Sequence, residues 1–223
     1  MGAGWRSGRS GRAHVSGSFI SYAVRDGIAT IGVDKPVDPA DAIQPARVAE
    51  YLMALQDADR DPDVRVILSH SRAASTAAAG LEGAVEVGDA LGIPLSVVRD
   101  LRVPLVALLD GPVTGPAFVL ALAADVRVAT THTHLSVGAC PADDGFVSWL
   151  RDELGASRAR ELLLTRRSVP ADAAAWIGLV HEVVPADRLL AVGEERAAGL
   201  AAADPRHALQ VKARFRDRHL AAT

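Results

Sequence analysis

Residues 103–129 read VPLVALLDGPVTGPAFVLALAADVRVA. Leu105–Leu109 is an unbroken apolar run of the length expected for a buried strand. Asp110-Gly111-Pro112 ends it, because this trio favours a turn and Pro112 offers no N–H to a ladder. A Gly/Pro loop follows, then a helix near Ala117–Ala124, then a second strand at Val126–Ala129. A strand, a sharp Gly/Pro turn, a short apolar helix and another buried strand within one stretch define an α/β fold.

The flanking segments continue the alternation. Upstream, Phe19–Val24 and Ile28–Val33 are rich in strand-forming residues and are separated by Asp26-Gly27, a hairpin dipeptide. In Gln44–Asp59, the apolar residues Val48, Tyr51, Leu52 and Leu55 fall on one helical face. Val64–Leu68 is a short buried-type strand, Ala73–Gly80 a small-residue loop, and Gly83–Leu101 mostly helical. Downstream of the central stretch, His134–Val137 reads as a strand. Gly145–Leu154, Ser157–Thr165, Ala171–Trp176, Asp187–Ala202 and Arg206–Leu220 read as helices, interrupted by an extended piece at Val180–Val184.

The chain of 223 residues suffices for one domain with a substantial core. We expect a flexible tail over residues 1–18, a core domain over 19–190, and a C-terminal helical segment over 191–223. No apolar run reaches the roughly 20 residues of a membrane helix. The single cysteine, Cys140, excludes an internal disulfide and a cysteine-based zinc site. It also suits a reducing, cytoplasmic compartment. A net charge of −3, with no basic cluster beyond the tail, argues against nucleic acid as the main partner. No membrane partner, metal or cofactor is expected.

Three stretches resemble the crotonase (enoyl-CoA hydratase/isomerase) superfamily. The first lies in Tyr22–Ser69, with RDGIATIGVDKP, a helix, and DPDVRVILS. The second is the central stretch, with its AxxxDxRxA ending. The third is Gly155–Leu189, GASRARELLLTRRSVPADAAAWIGLVHEVVPADRL, with the A-x-x-x-G-L-V-x-x-V signature. The resemblance implies a spiral of ββα units with C-terminal helices, acyl thioesters of CoA or a carrier protein as substrates, and a homotrimer or hexamer. The family usually continues past the helix matching Arg206–Leu220, so a shortened C-terminal segment is expected.

The resemblance also implies an oxyanion hole of two backbone N–H groups holding the thioester carbonyl. The first donor position best fits Gly80. The second falls on Pro116, whose nitrogen carries no hydrogen, so either Gly115 takes over through a local shift or the thioester is held differently. Proline is equally at home in the first turn of a helix. The two hydratase glutamates are also missing: Val119 and Ala139 stand at their positions, and neither can move a proton. Simple hydration is therefore not expected.

The loop CPADDGF, residues 140–146, then becomes the candidate source of acid–base chemistry. Asp143 lies twelve residues before Gly155, the spacing of a working aspartate in the dienoyl-CoA isomerase and chlorobenzoyl-CoA dehalogenase branches. Asp144 is the second candidate. A carboxylate beside a helix N-terminus gains from the helix dipole, but an Asp there is equally a plain cap. Cys140, Trp149, Pro116 and Val119 are candidate pocket residues, with core packing the alternative for Cys140 and Trp149. Lys35 stands where the family often has a basic group near the CoA phosphates, with a plain surface lysine the alternative. His132 and His134 are expected on one strand face, and Glu82, Glu86 and Asp89 on the helix after the first donor loop.

The expected activity is that of a diverged lyase, isomerase or cyclase on an acyl or polyketide-like thioester, with a loop aspartate as acid or base. The alternative is a catalytically silent homologue that binds a biosynthetic enzyme.

Overall fold

The computed structural model describes residues 20–33, 45–71, 96–138, 140 and 144–220. The expected tail and the positions of Lys35, Gly80, Glu82, Glu86, Asp89, Ala139 and Asp143 lie outside the described residues.

Strands β1 (Ile20–Arg25) and β2 (Ile28–Val33) form the expected antiparallel hairpin. Its turn needs two residues with positive φ, and Asp26 and Gly27 supply them at 52° and 78°. Helix α1 (Pro45–Arg60) leads to β3 (Val66–Ser71), which lies parallel to β2. A short helix α2 (Ser96–Arg99) precedes β4 (Leu105–Leu109). The helix expected over Gly83–Leu101 thus ends at Arg99 rather than Leu101. There the backbone N–H groups of Arg102 and Val103 turn onto the Asp59 carboxylate, at 2.6 and 3.0 Å.

From β4 the chain enters β5 (Pro112–Thr114), α3 (Pro116–Leu122), β6 (Val126–Thr130) and β7 (His134–Ser136). Then come α4 (Asp144–Leu154), α5 (Ala156–Thr165), β8 (Val169–Pro170), α6 (Ala171–Ile177) and β9 (Glu182–Val184). The helices α7 (Leu189–Ala202) and α8 (Pro205–Leu220) complete the order. Six strands form one sheet in the order β1-β2-β3-β4-β6-β9, and β5, β7 and β8 form a second. Successive turns of the chain therefore place one strand in each sheet: β4 then β5, β6 then β7.

The large sheet is buried on both faces. Ile67, Leu105, Ala107 and Leu109 face the main core with Leu55 of α1 and Phe118 of α3. Val66, Leu68, Val106 and Leu108 face α7. That alternation is the strand period of two, and burial on both faces explains why β4 reads as a continuous apolar run. Helix α7 comes close because Gly193 lacks a side chain: a Cβ there would lie 2.6 Å from two Leu108 methyl carbons.

Two polar hubs lock the spiral, one buried at Arg127 and one at the surface at Asp125. The Arg127 guanidinium donates to the carbonyls of Leu179 (2.7 Å), Leu122 (3.0 Å) and Ala124 (2.7 Å), and to the Glu153 carboxylate (3.1 Å). The backbone of Arg127 also exchanges hydrogen bonds with His181, donating to its Nδ1 and accepting from its N–H. One arginine thus ties α3, β6, α4 and the turn after α6 together. At the other hub, Asp125 accepts the Leu105 N–H at 2.8 Å and pairs through both oxygens with Lys212 of α8 at 2.9 Å.

Candidate active site

The site is built around the turn that starts α3. Gly115 adopts φ 57°, ψ −130°, a conformation open to glycine and strained for other residues. Its carbonyl accepts two hydrogen bonds: one from the Val119 N–H at 3.2 Å, closing the first helical turn, and one from the Cys140 thiol at 3.2 Å. Gly138 presses on the same turn from the β7 side. A Cβ at Gly138 would collide with Thr114 Oγ1 and come within 3.0 Å of the Gly115 nitrogen. The Gly115 carbonyl is therefore fixed by two hydrogen bonds, and Gly138 packs close against the Gly115 nitrogen.

Pro116 is the first residue of α3, where a missing N–H leaves no helical bond unmade. The same position is the one the resemblance assigns to the second oxyanion donor, and the nitrogen there cannot donate. Val119, one turn on, is 1% exposed and packed in the main core. This position thus carries a buried apolar side chain that cannot transfer a proton.

Cys140 is buried, and burial pushes its thiol up to about 12, with the Arg166 charge pulling weakly the other way. It is a neutral hydrogen-bond donor rather than a nucleophile at physiological pH. Trp149 is buried on α4, with the Arg99 guanidinium over its ring at 5.5 Å. Phe146 of the same helix meets Phe118 of α3 edge to face at 6.4 Å. Asp144, the first residue of α4, is exposed.

Gly115, Val119 and Cys140 are thus brought to one turn, and Trp149 belongs to the same core. The histidine pair is not formed as expected. His132 sits in the turn before β7, not on a strand, and accepts through its carbonyl a contact from His134 Nδ1 at 3.0 Å. Thr133 is drawn inward to the Leu109 carbonyl, which turns the chain before the strand begins. Among the described residues, no cluster of three His, Cys, Asp or Glu side chains could hold a metal ion. No described helix is long and apolar enough to cross a membrane.

Sequence reading missed two features. One is a buried pair between the Tyr51 hydroxyl and Ser69 Oγ at 2.7 Å, at the end of β3; burial holds the Tyr51 phenol above its usual range. The other is Arg166, the residue after α5, which sits in the left-handed region at φ 50°. That conformation costs a non-glycine residue about 1 kcal/mol. Its carbonyl accepts from Ser136 Oγ at 3.1 Å, and Ser136 Oγ itself accepts the Gly138 N–H at 3.2 Å.

Repeated ββα units that set strands into two sheets, followed by C-terminal helices, define the crotonase class. The sequence profile of the enoyl-CoA hydratase/isomerase family matches residues 23–221, and the chain belongs to that family. A solved probable enoyl-CoA hydratase from Mycobacterium thermoresistibile superposes with a TM-score of 0.74. It is 28% identical, with 92% of this chain and 87% of that one covered. The probable enoyl-CoA hydratase EchA12 of Mycobacterium tuberculosis is 38% identical over 99 residues, which is 42% of this chain and 35% of that protein. The match thus spans about a third of that relative's length. The trans-2-decenoyl-[acyl-carrier-protein] isomerase of Streptococcus mutans is 25% identical over 188 residues, covering 76% of this chain and 71% of that protein.

Proposed function

We propose that this chain catalyses proton-transfer chemistry, isomerisation, dehydration or ring closure, on an acyl or polyketide-like thioester of CoA or a carrier protein. Asp143 acts as the acid or base, with Gly80 as the remaining oxyanion donor. The observation that carries this reading is the pairing of a braced Gly115 turn with a buried Val119. A turn that only glycine adopts without strain, its carbonyl fixed by two hydrogen bonds, suits the framework of a thioester site. An apolar residue where water would be activated leaves that framework without a hydration step. Isomerisation moves a proton within the substrate and needs no added water, so one carboxylate suffices. The acyl-carrier-protein isomerase among the relatives is compatible with this reaction class.

The test is proton exchange at the α-carbon of a panel of acyl thioesters in heavy water, followed by NMR. Wild-type protein should exchange the α-proton, Asp143→Asn should lose exchange, and crotonyl-CoA should not be hydrated. Undiminished exchange in Asp143→Asn, or hydration at the rate of an ordinary hydratase, overturns the reading. The absence of an N–H at Pro116 favours one second reading, a silent homologue that binds a biosynthetic enzyme. A wild-type protein that neither binds nor exchanges any thioester supports that reading instead.

A further inference from the structure

Helices α7 and α8 expose two faces of opposite character. Helix α7 buries Val192, Gly193, Ala197 and Ala201 against the sheet. Ala191, Glu194, Glu195, Ala198 and Gly199 are exposed, so its outer face is acidic and built of small residues. Glu194 and Glu195 form no ion pair with any described residue, and the adjacent Arg196 is already committed to Glu182 at 2.9 and 3.0 Å. Gly199 sits well inside the helix, where glycine is the poorest former after proline. Nothing lies within 4 Å of a Cβ built on it, so packing inside the chain does not require a glycine there. A missing side chain on an exposed helix face lets a second helix approach closely. Helix α8 holds five lysines and arginines against one aspartate, in a chain of net charge −3. None of its described side chains is buried, and Lys212 ties it to Asp125 of the body. Val211 and Phe215, one turn apart, are 41% and 66% exposed, with Arg214 beside them. Arg206 and Arg214 are exposed and form no ion pair with any described residue.

We propose that these two faces form a two-fold contact between two copies of this chain, with α8 of each copy laid on the outer face of α7 of the other. An acidic face of small residues and a basic face with large apolar side chains complement each other in charge and in shape. Val211 and Phe215 of one copy cover Ala198 and Gly199 of the other, and Arg206 and Arg214 meet Glu194 and Glu195. Because both faces belong to consecutive helices of one chain, a two-fold axis makes the contact twice, each copy giving one helix and receiving one. A polyanion would satisfy the arginines of α8 but would give no reason for the acidic face or for Gly199. The contact stands apart from the thioester reading and does not depend on it.

The experiment follows the mass of the full chain by sedimentation velocity at micromolar concentrations. Wild-type protein should assemble in an even number of copies. Raising the salt from about 20 mM to about 0.5 M should weaken the contact by about tenfold, because the facing charges are screened. Arg206→Glu combined with Arg214→Glu should halve the mass, and so should Glu194→Arg combined with Glu195→Arg, since like charges then face each other. Mixing these two variants should restore the full mass, because each reversed face then meets its complement. Gly199→Leu should also halve the mass while keeping the helical circular dichroism of the wild type, since in a single copy the new side chain enters open space. A wild type that stays a monomer, or assembles in an odd number, overturns the proposal. So does a mass that neither reversal changes, or a mixture of the two reversed proteins that fails to associate. Loss of association in the α8 variant alone, with Gly199→Leu and the α7 variant unaffected, also overturns it and gives the basic face a different acidic surface.

Discussion

Replacing Arg127 by leucine should destabilise the protein by about 3–5 kcal/mol, the cost of breaking a buried, hydrogen-bonded charge pair. The side chain is 3% exposed and donates four hydrogen bonds, three to backbone carbonyls and one to Glu153. Leucine fills much of the volume but leaves the carbonyls of Leu122, Ala124 and Leu179 without this donor. Each lost bond costs about 0.5–1.5 kcal/mol, and more where no water replaces it. Part of this is returned, because leucine carries no charge to desolvate; burial already holds the Arg127 pKa below the usual arginine range. For a chain of this length about 2–4 °C is lost per kcal/mol, so the melting temperature should fall by about 6–20 °C. Thermal and urea unfolding followed by far-ultraviolet circular dichroism measure it. Arg127→Lys should be nearly as damaging, since one ammonium cannot reach the carbonyls at the end of α3, the Leu179 carbonyl and Glu153 together. Glu153→Gln should cost no more than about 1.5 kcal/mol, because an amide oxygen still accepts and Glu153 is partly solvated. An Arg127→Leu protein within 1 kcal/mol of wild type would falsify the view that this hub ties the two halves of the spiral.

Three further predictions follow from individual groups. Burial, together with the neighbouring Arg127 charge, holds the His181 imidazole below the usual histidine range. The unfolded chain then binds the proton more readily than the folded one, so stability is full above about pH 6.5 and is lost as pH falls toward the folded value. Unfolding free energies between about pH 5 and 8 should show this slope, and His181→Gln should flatten it; identical slopes would contradict the assignment. With its thiol pushed up to about 12, Cys140 should react with iodoacetamide at pH 8 about a thousandfold more slowly in native than in unfolded protein. Rapid native labelling, read by mass spectrometry, would show the thiol to be accessible. Gly115→Ala forces a side chain into φ 57°, ψ −130° and should cost about 1–3 kcal/mol in urea unfolding, whereas a change below 0.5 kcal/mol would mean the turn is not held as described.

Much of the architecture is legible in the chain because local chemistry and the global fold agree. The Asp26-Gly27 hairpin, the amphipathic α1 and the apolar β4 follow from turn preference, helical period and two-sided burial, and the structure forms each at nearly the expected limits. The strand at Pro112–Thr114 and the two-residue β8 read as loop. Segments so short carry too few residues to show a period, and their pairing with β7 is decided by strands far apart in sequence. The apolar character of Val119 and the missing N–H at Pro116 are visible in sequence, because a residue's covalent chemistry does not depend on the fold.

What tertiary structure alone decided is how side chains meet. Nothing in the spacing of Arg127, Glu153, Leu179 and His181 announces a common hub, since the contacts join residues up to 54 positions apart. Likewise, LLLTRRS marks both arginines as equal surface charges. Only the left-handed end of α5 separates them, pairing Arg167 with Glu161 and tying the Arg166 carbonyl to Ser136. Sequence determines which groups can donate, accept or carry charge and which segments must be buried; folding determines which of them share a place, because hydrogen bonds and charge act over distances in space and not along the chain.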